Sequence, residues 1–323
     1  MTDLVFYQNR LAKNRKRLAK WAARADLHAW RLYERDIPEF PVIVDWYDTE
    51  SGVRVHLQEV DTGWQQTEAE HREWLDFVRE ATATTLGVDE DVIVMKLRAR
   101  QRVGGDKTDQ NQPTGARGED LVVREGGLRF LVNLEAYQDT GLFLDHRNTR
   151  AMVKERAQGK RFLNLFAYTG SFTVYAAAGG AVESDSVDLS NTYLDWAGRN
   201  FDLNGIDRSA HRLVRADVFA WLRTQTEGST LKLYDLIVLD PPSFSNSKKM
   251  MGVLDVQRDH PWLIRQCLDL LAPGGALLFS TNLRSFALDA QVQTRARFTE
   301  LSARTVPEDY RDRKVHRCWL IER

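Results

Sequence analysis

From Lys160 onward the chain alternates short strand-like runs with helical patterns, and no other feature constrains its fold as tightly. The runs are Phe162–Phe166, Val182–Asp188, Arg212–Asp217, Leu236–Asp240 and Gly275–Ser280. Helices are predicted from Ser171, at Tyr193–Leu203, at Val218–Thr224 and from Asp255 to Leu271. Residues 236–239, a short run rich in Val, Ile and Leu, read as a buried strand rather than a helix. Repeated strand–helix units imply an α/β fold, a parallel sheet with right-handed crossovers and helices on both faces. Ala272-Pro273-Gly274-Gly275 reads as a helix stop before the fifth strand. Phe298–Val306 and Lys314–Ile321 are expected to supply a last pair of strands.

Three of these strands end in an aspartate, Asp188, Asp217 and Asp240, and open α/β sheets bind ligands at the carboxyl ends of their strands. Asp240 is followed by Pro241 and Pro242. Neither can donate a ladder hydrogen bond and each fixes its own φ, so together they end the strand and stiffen the next turn. Ser243, Phe244 and Lys248 follow, placed to line the same crevice, although an ordinary strand exit accounts for this stretch alone about equally well. The first strand leads into FLNLFAYTG, Phe162–Gly170, a tight turn ahead of a small-residue helix whose amino end can face a ligand. Nicotinamide-binding turns favour G-x-G-x-x-G to bring backbone close to a pyrophosphate. Here Gly170 stands without such partners beside Asn164, Tyr168 and Thr169, which suits a ligand lacking a pyrophosphate. Asp188 lies at the distance at which dinucleotide folds place a ribose-binding acid.

This ordered series, with DLSNTYLDWAGRN, LDPPSFSNSKKM and LDVQRDH, resembles the class I S-adenosylmethionine-dependent methyltransferases. Within them it is most similar to bacterial large-subunit ribosomal RNA guanine-N7 methyltransferases. These often form the carboxy-terminal half of a fused enzyme whose other half methylates a guanine N2. The resemblance runs over nearly the whole chain. It implies a Rossmann-like, doubly wound, mostly parallel sheet binding S-adenosyl-L-methionine, a smaller α+β amino-terminal RNA-binding region, and 23S rRNA as substrate. A separate partner protein in place of the fused half is a further implication. By the same resemblance Asn164, Phe166, Tyr168, Thr169 and Gly170 would hold the methionine part, Asp188 and Leu189 the ribose, and Asp217 and Val218 the adenine. Asp240, Pro241, Pro242 and Phe244 would form the catalytic set. The element Asp139–Arg147, DTGLFLDHR, would pass under the cofactor, with Phe143, Asp145 and Arg147 on the cofactor side. Read unaided, that element is a loop with an ion pair.

At 323 residues the chain suggests two domains. The expected organisation is a basic helix at 1–26, an α+β RNA-binding or substrate subdomain at 27–137, and the catalytic domain at 138–323. The formal net charge is −1, so affinity for nucleic acid must come from uneven placement of charge. The window Arg10–Arg24 supplies such unevenness with seven basic residues and no acid. Leu11, Leu18, Ala22 and Ala25 share one side of the predicted helix, while Lys13, Lys16, Arg17 and Lys20 are candidate phosphate contacts. A solvated face, or a helix joining domains, is the competing account. Alternation at Val42, Val44 and Trp46 and at Val53, Val55 and Leu57 predicts a hairpin through Asp48–Gly52. Glu68–Leu86 reads as a helix and Val92–Leu97 as a strand. Lys96, Arg98, Arg100 and Arg102 then follow at period two on one face, either a second RNA surface or a charge-protected edge. Val103–Glu119 reads as a loop, and strands at Leu121–Arg124 and Leu128–Leu134 are joined through Gly126-Gly127.

The two cysteines have no metal-ligand spacing, and neither a secretory signal nor a membrane-length apolar run is present. A reduced, cytoplasmic protein without metal or membrane contact is expected. Methylation at cytosine C5 requires a cysteine thiolate near the strand ends, whereas Cys267 falls in a predicted helix and Cys318 in the last strand. Exocyclic amine methylation is associated with an aromatic directly after [DN]PP, but here Ser243 intervenes before Phe244. Guanine N7 carries an in-plane lone pair and needs no deprotonation, which fits the residues present. Asp240 is then assigned to positioning the guanine N1 and N2 donors or the donor's charge, Phe244 to stacking, and Lys248 or Lys249 to a phosphate. N7 faces the deep, narrow A-form groove, so the guanine must be opened or extruded. Methylation of another base atom, cytosine C5 or guanine N2, and a cofactor-binding protein that remodels rRNA without chemistry are the alternatives.

Overall fold

The computed structural model describes residues 2–61, 63, 66–98, 118–227, 231–246 and 252–323. The chain forms two compact units, Met1–Thr140 with Glu308–Asp312, and Gly141–Pro307 with Arg313–Arg323. Among the described residues no helix is long and apolar enough to cross a membrane.

The first unit opens with helix α1, Thr2–Arg24, which starts well before the basic window. Tyr7, Leu11, Leu18 and Ala22 are buried along one stripe, and the Tyr7 hydroxyl meets Thr82 Oγ1 at 2.7 Å. Ala25, expected on that stripe, is exposed because the helix has already ended. Strands β1 (Ala29–Glu34), β2 (Val42–Thr49) and β3 (Gly52–Val60) follow, then helix α2 (Glu68–Leu86) and strands β4 (Ile93–Arg98), β5 (Leu121–Glu125) and β6 (Leu128–Val132). The sheet order is β4-β3-β2-β5-β6, with β1 also paired to β2. The expected β2–β3 hairpin is present, with Thr49 opposite Gly52. Strand β1 is absent from the sequence reading, and all six of its residues are buried. Its Arg31 is buried because the guanidinium pairs with Asp45 at 2.8 Å and Glu34 at 2.7 Å. Helix α2 begins at a capping box between Thr67 and Glu70 and stops at Gly87, whose φ of 64° is left-handed. Gly126 and Gly127 both take positive φ, as a tight hairpin turn requires.

The second unit contains helix α3 (Arg147–Arg156), strand β7 (Arg161–Leu165), helix α4 (Ser171–Ala178), strand β8 (Glu183–Asp188), helix α5 (Asn191–Leu203), strand β9 (His211–Arg215), helix α6 (Val218–Glu227) and strand β10 (Tyr234–Leu239). A short ribbon of β11 (Phe244–Ser245) and β12 (Leu254–Asp255) precedes helix α7 (Val256–Leu270). Strand β13 (Leu271–Thr281), strand β14 (Arg297–Glu300), helix α8 (Ser302–Thr305) and strand β15 (Arg317–Glu322) complete it. The seven-stranded sheet runs β14-β15-β13-β10-β7-β8-β9. Strands β13, β10, β7, β8 and β9 are parallel and β15 runs against both of its neighbours. This is the doubly wound, Rossmann-like α/β arrangement. Its core is built from residues such as Leu163, Leu165, Val187, Ile237, Leu239, Leu277 and Phe279, all fully buried.

Two boundaries differ from the sequence reading. The segment Ala272–Gly275 is not a stop outside the strand but an irregularity within β13, where the pairing with β10 shifts between Tyr234 and Leu236 and Gly274 turns left-handed. The run Phe298–Val306 is not one strand: β14 ends at Glu300 and helix α8 follows, so that Leu301 and Thr305 both turn inward.

Candidate functional site

Chain direction selects one edge of the second sheet. From β7 the chain passes through α4 to β8 on one side. It later returns through α6 to β10 on the other, so the strand order reverses at β7. A crevice opens outside the carboxyl ends of the two strands at such a switch point. Register brings the residues there together: Leu165 of β7 lies opposite Leu239 of β10 and Val187 of β8. Phe166, Asp240 and Asp188 are the next residues of those three strands.

The turn after β7 is strained and tightly held. Phe166 (φ 58°), Tyr168 (φ 50°) and Gly170 (φ 74°) are all left-handed, at a cost for the two aromatic residues that packing must offset. Asp188 Oδ2 accepts the Tyr168 backbone N–H at 2.9 Å, and Oδ1 accepts that of Ser190 at 2.8 Å. Burial raises the Asp188 carboxyl above its ordinary range, opposed by these amides and that of Leu189. The Thr169 hydroxyl donates to the Gly141 carbonyl at 2.7 Å, and the Gly141 N–H donates to the Tyr168 hydroxyl at 3.1 Å. Phe143 and Tyr193 pack against the Tyr168 ring at 5.1 and 4.5 Å. A Cβ on Gly170 would stand 2.9 Å from both Ala197 Cβ and Phe201 Cε1, so only glycine lets α5 approach here.

Several candidate residues lie inside rather than at the crevice surface. Asn164 is buried, with its amide donating to Thr173 Oγ1 at 3.1 Å. Thr169 is fully buried, and Val218 belongs to the core cluster around β7 and β10. Asp217 caps α6 by accepting the Ala220 N–H at 3.0 Å, and Leu189 is half-buried. Asp240 accepts from the Ser280 hydroxyl at 2.6 Å, which ties β10 to the end of β13. Pro241 is buried and Pro242 half-buried. Phe244, half-buried, pairs with Asp255 in the β11–β12 ribbon.

The element Asp139–Arg147, read from its residues as a loop, supplies a turn of 3-10 helix at Leu144–His146 and leads into α3. Arg147 is buried, and Asp145 Oδ2 is 2.9 Å from His316 Nδ1. His146 is not among the residues singled out from sequence, although it sits within that element. Its Nε2 lies 3.6 Å from Asp240 Oδ2 and 3.8 Å from Asp145 Oδ2. His316, which joins it from the approach to β15, has no local signal. The site therefore holds a titratable ring beside Asp240 that sequence reasoning misses.

The basic residues of the first unit divide. Lys13, Lys16, Arg17 and Lys20 lie on α1 away from its buried stripe, with Arg17 bonded to Glu308 at 3.2 Å. Arg15 instead stacks over Trp46 and donates to the Leu86 carbonyl. Lys96 does not join an outward basic stripe: it turns inward onto the Tyr137 carbonyl, and burial pulls its ammonium down to about 8. The Arg98 side chain, Arg100, Arg102 and Lys248 lie outside the described residues, as does nearly all of the predicted 103–119 loop.

Residues 68–306 match the family described as S-adenosylmethionine-dependent methyltransferase. The chain is 56% identical over 322 residues to ribosomal RNA large subunit methyltransferase K of Neisseria meningitidis serogroup B, covering 99% of this chain and 88% of that protein. It is 46% identical over 318 residues to ribosomal RNA large subunit methyltransferase K/L of Hahella chejuensis, covering 98% of this chain but 42% of that longer protein. A protein described as a candidate methyltransferase, solved with SAH, superposes with a TM-score of 0.75 at 24% identity over 99% of this chain and 82% of its own. That likeness concerns the fold.

Proposed function

We propose, since this chain belongs to the S-adenosylmethionine-dependent methyltransferase family, that it methylates the N7 of a guanine in 23S ribosomal RNA. S-adenosyl-L-methionine is the cofactor, and the donor set suits it. Three carboxylates, Asp188, Asp217 and Asp240, lie at or just beyond strand ends of one sheet, which favours a sulfonium, an ammonium and ribose hydroxyls over a pyrophosphate. When bound, the cofactor supplies an electrophilic methyl group. In this reading the Phe166–Gly170 turn holds its methionine part, Asp188 its ribose and Asp217 its adenine.

The large-subunit rRNA named in both relatives supports the substrate class. The observation that carries the choice of atom is the state of the cysteines. Cys267 and Cys318 are both fully buried, and burial pushes both thiols up, away from the thiolate that a C5 mechanism needs. Guanine N7 requires neither a thiolate nor a proton acceptor, so alignment and exclusion of water are the protein's tasks. Asp240, fixed by Ser280, would accept from guanine N1 and N2, and Phe244 would stack on the base. Lys13, Lys16 and Lys20 would contact phosphates. Incubation with labelled cofactor and undermethylated 23S rRNA, followed by nucleoside mass analysis, tests the reading. N7-methylguanosine is expected, whereas label in N2-methylguanosine or 5-methylcytidine, or no label, refutes it.

A further inference from the structure

Beside Asp240 lies a buried chain of polar groups that methyl transfer to N7 does not by itself require. His146 is 5% exposed and His316 1% exposed. Their rings stack with centroids 4.3 Å apart and planes inclined by 10°. His316 is fixed at both nitrogens, by Asp145 Oδ2 at 2.9 Å and Thr305 Oγ1 at 3.0 Å. His146 meets the edge of Phe172 at 5.7 Å, and its Nε2 looks onto Asp145 and Asp240. Its Nδ1 is buried and finds no hydrogen-bond partner among the described residues.

Asp145, His146 and His316 carry metal-ligating atoms close together. The rings nonetheless argue against an ion. An imidazole ligates through an in-plane lone pair, at about 2.0–2.1 Å for zinc. Two planes inclined by 10° and stacked at 4.3 Å give no nearby point that lies in both. What the arrangement can hold is a proton. A carboxylate only accepts, and Nε2 faces two of them, so the proton of a neutral His146 belongs on Nε2.

We propose that His146 is a positioning residue for Asp240: held flat by His316, it presents Nε2–H to Asp240 Oδ2, while Ser280 holds Oδ1. Asp240 is then gripped from both sides with its remaining lone pairs directed at the target base. The present 3.6 Å separation would tighten when substrate closes the site, as catalytic hydrogen bonds commonly do. Burial keeps His146 neutral by lowering its pKa, with His316 and Arg150 acting in the same sense and Asp240 and Asp145 opposing. The role rests on the methyltransfer reading of Asp240.

Three substitutions separate positioning from packing. The amide nitrogen of Gln approximates Nε2 and that of Asn approximates Nδ1. In single-turnover transfer at saturating cofactor, His146→Ala should be slower by about ten- to a hundredfold, the loss expected for a hydrogen bond to a charged group, with cofactor Kd within about threefold. His146→Gln should recover most of the rate and His146→Asn should not. Equal rates for the Gln and Asn variants, or a His146→Ala rate like the parent's, overturn the proposal. Nitrogen NMR of the protein alone gives a readout independent of activity. The neutral, Nε2-protonated tautomer is expected at pH 7, with resonances that move in Asp240→Asn. An Nδ1-protonated ring would be a proton acceptor instead, suited to an exocyclic amine, and would overturn it. So would a Zn²⁺-dependent rise in Tm abolished by both His146→Ala and His316→Ala. If the parent transfers no methyl group, the functional reading falls, and the tautomer still decides whether His146 serves Asp240.

Discussion

Substituting Gly170 by alanine isolates what the Phe166–Gly170 turn requires of its backbone. Two costs are expected. A left-handed φ of 74° on a residue with a Cβ costs about 1–2 kcal/mol. The new Cβ would also stand 2.9 Å from Ala197 Cβ and Phe201 Cε1, both on packed helix α5, and overpacking of this kind costs about 1–3 kcal/mol. Together Gly170→Ala should lose about 2–5 kcal/mol. Gly159 is the natural control. Its φ is 70°, yet nothing lies within 4 Å of the point a Cβ would occupy, so Gly159→Ala should lose only the backbone share, about 1–2 kcal/mol. Urea unfolding followed by tryptophan fluorescence measures both, because Trp196 sits buried on α5 against Gly141. Calorimetric titration with S-adenosylmethionine completes the comparison. Only Gly170→Ala should weaken binding, by about tenfold or more if 1.4 kcal/mol of the strain is relieved by shifting the turn. Equal destabilisation in the two variants, or unchanged cofactor affinity in Gly170→Ala, would refute the packing argument.

Three further outcomes are expected. Burial holds His146, His211 and His260 below the ordinary imidazole pKa, so below about pH 6.5 the unfolded chain binds more protons than the folded one and stability falls as pH drops; a Tm constant from about pH 7.5 to 5.5 would contradict this. Cys267→Ala should retain methyl transfer within about threefold while losing about 1–3 kcal/mol of stability, and a loss of transfer in a folded variant would reopen a thiol mechanism. RNA with its target guanine locked in a stable duplex should react far more slowly than the same RNA with that base unpaired, and equal single-turnover rates would count against extrusion.

The seven-stranded sheet is legible in the sequence where its central strands leave apolar runs, as at Leu236–Leu239, and Asp188, Asp217 and Asp240 at or after strand ends punctuate the pattern, whereas β8 is built around buried Ser184, Asp185 and Ser186. The first sheet is legible at the β2–β3 hairpin, from Val42, Val44 and Trp46 and the turn that follows them, although only Asp48 of β2 is exposed. Strand β1 buries all six of its residues, and Arg31 is accommodated there by pairing with Asp45 and Glu34. Lys96 misleads because period-two spacing fixes the face of a strand residue, not whether that face looks to solvent, and its ammonium turns to a backbone carbonyl. Within the site, Gly170 and Asp188 carry local signals. His146 and His316 do not, since residues so far apart in the chain meet only because β15 returns to the sheet beside β13.

The division of labour between Asp188 and Asp240 is where the account is most exposed. Calorimetry of the cofactor and single-turnover transfer, run on Asp188→Ala and Asp240→Ala, give the decisive pair of numbers for each variant. Asp188→Ala should lose cofactor affinity and recover much of its rate at saturating cofactor. Asp240→Ala should bind cofactor nearly as the parent does and transfer slowly at any concentration. Two variants with the same loss of affinity and the same rate would mean that these strand ends do not form the site described.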